Sequence, residues 1–334
     1  MAIKIGINGF GRIGRNVFRI IAASGEEIEV VAINDLISTK LMAHLLKYDS
    51  VYRKFDGTVE EADGAIVVNG RTIPVTAEKD PAGIPWGKNG VDIVLESTGV
   101  FRTRDGIKKH LEGGAKKVLL SVPSKSPDDV DATIVCGVND STLSSDAKIV
   151  SNASCTTNSL APMVKVLHDN FGLKSGLMTT IHSYTNDQNM VDGPHKDLRR
   201  ARAAAANIIP TSTGAAKAIG LVIPDLTGKL NGCAMRVPTL VGSVTDLVSY
   251  LDKSATEAEI NNAFKEAAAG EMGYQLAYTD DPIVLSDIIG DTHGSIIDGL
   301  STMVIDGNLV KTVSWYDNEW GYSCRCLDLF KLMA

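Results

Sequence analysis

The sequence predicts an α/β protein: a doubly wound, mostly parallel sheet joined to an α+β domain whose sheet is largely antiparallel or mixed. Three observations predict it. Strand and helix patterns alternate through the first half of the chain. Beyond Cys155 the texture changes to long β-rich segments with few helices between them. The length, 334 residues, exceeds what one hydrophobic core usually holds and implies two domains, or one large domain with an insertion.

The elements follow in order. Residues 3–8 are an apolar run, residues 12–23 have helical periodicity, and residues 29–34 are a second apolar run. Asn69-Gly70 separates Ile66-Val67-Val68 from Thr72-Ile73-Pro74-Val75, a strong two-residue hairpin signal. Residues 91–96 form a third apolar run, 104–111 a helix closed by Gly113-Gly114, and 117–121 a fourth run. Alternation of this kind packs helices on both faces of a parallel sheet. Lys148-Ile149-Val150 reads as a strand. After it, Leu160, Met163, Val164 and Leu167 repeat at i, i+3, i+4 and i+7, predicting an amphipathic helix that ends at Gly172. Pro162 lies inside that helix and should kink it. The second half adds β-rich segments at 177–183, 233–238, 244–251, 295–298 and 302–315, with helices at 214–222 and 256–269. Residues 184–207, rich in Asp, Asn, Gly and Arg, read as a long loop, and such loops are usually functional. Residues 319–334 read as a terminal helix.

Bulk properties exclude several classes. Hydrophobic content of 44% with 22% charged residues is ordinary for a water-soluble protein, and the net charge of −7 argues against nucleic acid as the main partner. The five cysteines form an odd set without a C-x-x-C pair, so neither a disulfide framework nor a metal site is expected. No basic segment followed by an apolar one opens the chain, and no apolar run is long enough to span a bilayer. A cytoplasmic protein without membrane attachment is the expectation.

Two sites can be assembled from the residues. Gly9-Phe10-Gly11-Arg12-Ile13-Gly14 is a G-x-G-x-x-G that follows a predicted strand and opens a predicted helix. Asp35 stands 21 residues past Gly14, at the end of the next strand. Gly9, Gly11 and Gly14 allow a tight turn and close backbone approach. The helix start holds a pyrophosphate, and a carboxylate at the second strand end accepts from adenosine ribose hydroxyls. This is a Rossmann-type fingerprint, and Asp35 would repel a 2′-phosphate, so NAD is favoured over NADP. Leu36 adds no cation to offset that repulsion.

The second site centres on Cys155 in Ser151-Asn152-Ala153-Ser154-Cys155-Thr156-Thr157-Asn158. A single thiol among hydroxyls sits where strand gives way to helix. There the unpaired N–H groups of the first turn favour thiolate. Most lone cysteines are buried and inert, but the polar flanks and the helix start point to a nucleophile. A nucleophilic Cys beside a nicotinamide suggests aldehyde oxidation through a hemithioacetal and a thioester. That route needs a base. Of the six histidines, His182 ends a strand just before the long loop, where side chains enter sites. His44, His110 and His168 fall in helical patterns and read as surface or packing residues. His195 and His293 lie in loops. The backbone N–H of Cys155 and the imidazolium could stabilise an oxyanion.

At these residues the chain resembles the phosphorylating glyceraldehyde-3-phosphate dehydrogenases, over essentially its whole length. The matching blocks are residues 7–15, 153–158, 182–185, 210–218, 236–238 and 315–319. The resemblance implies a homotetramer that converts glyceraldehyde 3-phosphate, inorganic phosphate and NAD to 1,3-bisphosphoglycerate and NADH. It implies Cys155 as nucleophile and His182 as base. Thr185 and Arg236 match a substrate-phosphate site. Ser154, Thr156, Thr213 and Gly214 match a pocket for inorganic phosphate, and Arg200 a further substrate-binding arginine. Arg12, Ile13, Asp35, Lys79, Ser121 and Asn318 match cofactor contacts, with Asn318 orienting the nicotinamide carboxamide. Pro194 and Leu36 resemble the NAD-selective members. The expected division is a nucleotide domain of residues 1–151 and 319–334, the terminal helix returning to it, and a catalytic domain of residues 152–318. The nearest rival is erythrose-4-phosphate dehydrogenase, a sister whose acyl group goes to water.

Overall fold

The computed structural model describes residues 2–334. Its contacts divide the chain into two compact units. The first holds the described residues up to Ile134, Asp140–Ala153 and Ser323–Ala334; the second holds Val135–Asn139 and Ser154–Tyr322. The unit edges thus fall two and four residues beyond 151 and 319, and a five-residue segment joins the second unit.

In the first unit β1 (Ile3–Asn8), α1 (Arg12–Ser24) and β2 (Ile28–Asn34) lead to α2 (Thr39–Lys47). A small ladder follows, β3 (Tyr48–Asp49) with β4 (Arg53–Lys54), then β5 (Val59–Ala62), β6 (Ala65–Val68) and β7 (Arg71–Thr76). The remainder is β8 (Ile93–Glu96), α3 (Arg104–Glu112), β9 (Lys117–Leu120), β10 (Ala132–Thr133) and β11 (Ile149–Ser151). The sheet order is β10-β11-β9-β8-β1-β2-β7-β6-β5, parallel from β10 to β7 and antiparallel through the hairpin. Asn69 and Gly70 turn that hairpin with φ of 52° and 78°, as an Asn-Gly pair is suited to do. Chain order reverses between β1 and β8, so the crevice at their C-terminal ends is where an open parallel sheet of this kind binds ligands. Trp86, Val94, Ile107, Val118 and Leu120 pack the core behind it.

The second unit begins with α4 (Cys155–Phe171) and β12 (Leu173–Ser183). It continues through β13 (Ile209–Ser212), α5 (Ala215–Val222), β14 (Leu230–Val237), β15 (Ser243–Leu251) and α6 (Glu257–Ala269). β16 (Leu276–Thr279), β17 (Ser295–Asp298), β18 (Met303–Ile305) and β19 (Leu309–Tyr316) complete its sheet, and α7 (Trp320–Met333) follows. The order β13-β14-β12-β15-β19-β17-β16 mixes antiparallel pairs with two parallel ones, β12–β14 and β16–β17. α4 lies on this sheet with Leu160, Met163, Val164 and Leu167 buried.

One expectation changes: the 302–315 run is two strands, broken at Asp306 and Gly307, both at positive φ. Pro162 lies inside α4, which is one α-helix from Cys155 to Phe171. Proline lacks the N–H that would bond the carbonyl of Asn158. The buried Gln275 supplies it instead, Nε2 donating to Asn158 O at 2.8 Å, while Ser295 Oγ donates to Ser159 O at 2.8 Å. The lost helical bond is replaced from neighbouring elements.

Candidate active site

The nucleotide turn is built by backbone geometry. Gly9 sits at φ 92°, a conformation L side chains avoid, and a Cβ there would lie 2.7 Å from Thr98 N. A Cβ on Gly14 would lie 2.2 Å from Gly9 O, which is the close packing of turn against helix. Gly11 differs: a Cβ would meet nothing within 4 Å. α1 starts there with no side-chain cap and no acidic residue in its first turn. An open cradle at an uncapped helix start fits a pyrophosphate. Asp35 is half-buried and accepts from Phe10 N at 2.6 Å and Ile37 N at 3.2 Å, so it fixes the turn it is expected to complete. Arg12 is ion-paired with Asp49 and lies over the Tyr52 ring. Ile13 is half-buried in α1, Ser121 is buried just past β9, Lys79 is exposed beyond β7, and Leu36 is exposed.

In the second unit Cys155 is the first residue of α4. The backbone reaches it through Ala153 at φ 52°, and Ser154 caps the helix, its Oγ accepting from Thr157 N at 3.0 Å. Cys155 Sγ lies 3.5 Å from His182 Nε2. His182 is buried at the end of β12, and its Nδ1 lies 2.7 Å from Ser183 O. That carbonyl can only accept, and with a proton on Nδ1 bonded to it Nε2 presents its lone pair to the sulfur. Arg236, on the neighbouring β14, brings Nη1 to 2.8 Å from Ser183 O and 2.5 Å from His182 Nδ1.

The electrostatics follow. Burial and the Arg236 charge hold His182 down to about 3, so it is a neutral base at pH 7. Burial pushes the Cys155 thiol up, while Arg236 and the hydroxyl and N–H of Thr156 act the other way. Removing the thiol proton is thus the task of Nε2, helped by the nearby guanidinium.

The anion-binding candidates are distributed around this pair. Arg236 has a buried Nε without a hydrogen-bond acceptor among the described residues, while Arg200 Nε lies 3.5 Å from Asp197 Oδ2. The orphaned donor of Arg236 fits an oxyanion from outside the chain. Arg200 is also ion-paired with Asp187, and both charges act on Arg236. Thr213 Oγ1 accepts from Ala215 N at 3.2 Å, so Thr213 and Gly214 form the start of α5, which packs against α4. Thr185 is half-buried just past β12 and receives no side-chain bond to Arg236. Thr156 Oγ1 is turned to Tyr316 OH at 2.9 Å, which also meets Thr180 Oγ1 at 2.9 Å. Asn318 is buried, its Oδ1 accepting from Gly242 N, Ser183 Oγ and Ser243 Oγ at 2.9–3.1 Å. Only its amide N–H groups are then left to offer a carboxamide oxygen.

Comparison with known proteins decides the family. The glyceraldehyde 3-phosphate dehydrogenase NAD-binding domain matches residues 3–104, and the C-terminal domain of the same family matches residues 154–318. The chain is 59% identical to the glyceraldehyde-3-phosphate dehydrogenase of Priestia megaterium over 100% of this chain and 99% of that one. It is 59% identical to that of Geobacillus stearothermophilus with the same coverage, and 58% to that of Thermotoga maritima over 99% and 98%. The chain belongs to the glyceraldehyde-3-phosphate dehydrogenase family. Its cofactor is NAD, and the open cradle at Gly11 is consistent with that.

Some site residues of this dehydrogenase were not legible in the sequence. Ser183 meets His182 Nδ1 through its carbonyl and donates its hydroxyl to Asn318 Oδ1. Tyr316 stacks edge-on against the His182 ring, with centroids 6.0 Å apart. Only the strand pairing β12–β15–β19 places these together. Ser183 and Tyr316 both lie in matching blocks, residues 182–185 and 315–319, which give neither of them a role.

Proposed function

We propose that the chain oxidises glyceraldehyde 3-phosphate with NAD and inorganic phosphate to 1,3-bisphosphoglycerate, through a thioester on Cys155. The carrying observation is Cys155 Sγ, on the first residue of α4, at 3.5 Å from Nε2 of a neutral His182. Sγ adds to the aldehyde carbon as its proton passes to Nε2. The Cys155 N–H at the helix start stabilises the oxygen that becomes anionic. The imidazolium returns its proton to that oxygen, giving the hemithioacetal hydroxyl. Bound NAD supplies the acceptor for the aldehyde C–H hydride. Neutral His182 then takes the hydroxyl proton as the hydride leaves, and the thioester results. Inorganic phosphate then displaces the thiolate. Arg236 with Thr185, and Arg200, are assigned to the substrate, and Ser154, Thr156, Thr213 and Gly214 to the attacking phosphate. Gly9, Gly11, Arg12, Ile13, Gly14, Asp35, Lys79 and Ser121 are assigned to NAD, with Asn318 presenting its amide to the nicotinamide.

A homotetramer is part of the reading, and one surface supports it. On the sheet face opposite α4, Leu177 pairs with Val248, Val248 with Lys311 and Lys311 with Met303. In the next row Tyr250 pairs with Leu309 and Leu309 with Ile305. Leu177 is 68% exposed, Tyr250 53%, Met303 54% and Ile305 59%. A contiguous apolar face of this kind suits burial against another copy. No helix among the described residues is long and apolar enough to cross a membrane, and the cytoplasm is the proposed location.

A rate assay crossing glyceraldehyde 3-phosphate and erythrose 4-phosphate with NAD or NADP, with and without phosphate, tests the function. NADH production from glyceraldehyde 3-phosphate that requires phosphate or arsenate is expected. Equal rates without either would overturn it.

A further inference from the structure

The first unit contains a buried polar chain that the reaction does not use. Asn34, Asn8 and Glu96 are direct register neighbours at the last positions of β2, β1 and β8. All three are buried, Glu96 completely. The Glu96 carboxylate accepts from four donors. Oε2 takes Asn8 Nδ2 at 2.6 Å and His110 Nε2 at 3.0 Å; Oε1 takes Thr98 N at 2.9 Å and the Thr98 hydroxyl. Trp86 Nε1 donates to His110 Nδ1 at 3.1 Å, which leaves the His110 proton on Nε2, facing Glu96. On the other side Asn34 Nδ2 donates to Asn8 Oδ1 at 2.8 Å and to Glu78 O at 3.0 Å, while Asn34 Oδ1 accepts from Thr76 Oγ1 and Glu78 N. Every donor finds an acceptor, and the directions agree from Trp86 to Glu78.

The position of this chain gives it a task. β1 and β8 flank the reversal point of the sheet, and the residues just past them are Gly9 and Ser97-Thr98. Gly9 packs on the Thr98 backbone that Glu96 grips, and Ser97 Oγ donates to Gly9 O at 2.7 Å. The nucleotide turn is therefore seated on a segment whose position is set by one buried carboxylate. Packing alone does not require a charged residue there, because an apolar side chain would avoid the desolvation cost.

We infer that Glu96, held by His110, is a positioning residue for NAD. Its carboxylate, which accepts four hydrogen bonds, fixes the 97–98 segment against the Gly9 turn and so sets dinucleotide affinity. Helical periodicity alone marks His110 as a packing or surface residue and gives Glu96 no role. Glutamine at position 96 would replace an acceptor oxygen with an NH2 group facing donors, which loosens the segment without changing side-chain volume.

The test is calorimetric NAD affinity on the purified enzyme, beside KM for glyceraldehyde 3-phosphate and the rate of Cys155 alkylation by iodoacetamide. For Glu96→Gln the NAD dissociation constant should rise about 10- to 100-fold. KM for the aldehyde and the alkylation rate without NAD should stay within about twofold. An unchanged NAD affinity in a folded Glu96→Gln enzyme overturns the inference. If that variant does not fold, His110→Leu and His110→Gln decide. Leucine keeps the packing and loses the donor, so NAD binding should weaken about 3- to 10-fold; glutamine keeps a donor and should recover most of it. Leucine binding NAD as well as glutamine does would show a packing role and refute the positioning one.

Discussion

Two helices of this chain begin just past the end of a parallel strand, and they use the same backbone feature in opposite ways. α1 starts at Gly11 with no side-chain cap and no acidic residue in its first turn, and the space beside Gly11 is open. α4 starts under a Ser154 cap, with the thiol of Cys155 on its first residue and a strained Ala153 before it. In both, the first-turn N–H groups favour negative charge. At α1 no side chain caps the helix, and the open space beside Gly11 gives an anion from outside room to approach. At α4 the cap takes one donor and the remaining field acts on the chain's own sulfur. The residues at the cap and first helical positions, more than the strand-to-helix turn itself, decide between binding and chemistry.

The sharpest way to break the comparison is to remove the sulfur. If α4 only bound an anion, Cys155→Ala would cost affinity. A nucleophile predicts instead that phosphate-dependent NADH formation falls by at least about 10⁴-fold while calorimetric NAD affinity changes little. His182→Asn should cost about 10²- to 10⁴-fold in kcat, measured in the same assay. His182 also carries a pH signature. Its folded value is near 3, below the ordinary 6.5 of the unfolded chain. Between those values the unfolded chain takes up a proton the native one refuses, so this contribution to stability is complete above pH 6.5 and is lost as pH falls toward 3. Urea melts at pH 7.5, 5.5 and 4.5 should show His182→Asn losing less stability on acidification than the parent enzyme. An equal loss in both would mean that His182 is not held neutral.

At the other helix start the expected change is smaller and confined to binding. Gly11→Ala places a methyl group in open space, so urea stability should change little while NAD affinity falls about 10-fold. Gly9→Ala is the counterpart. At φ 92° and 2.7 Å from Thr98 N the added carbon strains the backbone itself, and stability should fall as well. If Gly11→Ala binds NAD normally, the open cradle is not the pyrophosphate site.

What could be read from the sequence in each region was what its own neighbours enforce. Asn69-Gly70 turns a hairpin because both residues tolerate positive φ, and Gly172 ends α4 at the spacing the apolar stripe sets. The Cys155 helix start was legible for the same reason. Glu96 was not: Asn8 lies 88 residues away and meets it only because β1 and β8 pair. Pro162 is similar, since its missing donor is supplied by Gln275 from a segment 117 residues beyond Asn158. The break at Asp306-Gly307 was a local signal, outweighed by the apolar run around it. Arg236 came to the sequence reading only through the resemblance, as a phosphate ligand. Its approach to His182 required the β12–β14 pairing of His182 with Arg236.

The smallest expected effect separates the two tasks assigned to Ser154. As a cap it accepts from Thr157 N, and as a ligand its hydroxyl is proposed to meet the attacking phosphate. Ser154→Ala removes both and should cost about 1 kcal/mol in urea denaturation while raising KM for phosphate severalfold. Glycine is a tolerated cap that costs only a few tenths of a kcal/mol. Ser154→Gly therefore removes the hydroxyl and spares most of the stability. If KM for phosphate rises equally in both variants, the hydroxyl serves phosphate directly. If it rises only with Ala, α4 merely frays, and Ser154 is a cap whose effect on the reaction passes through the position of Cys155.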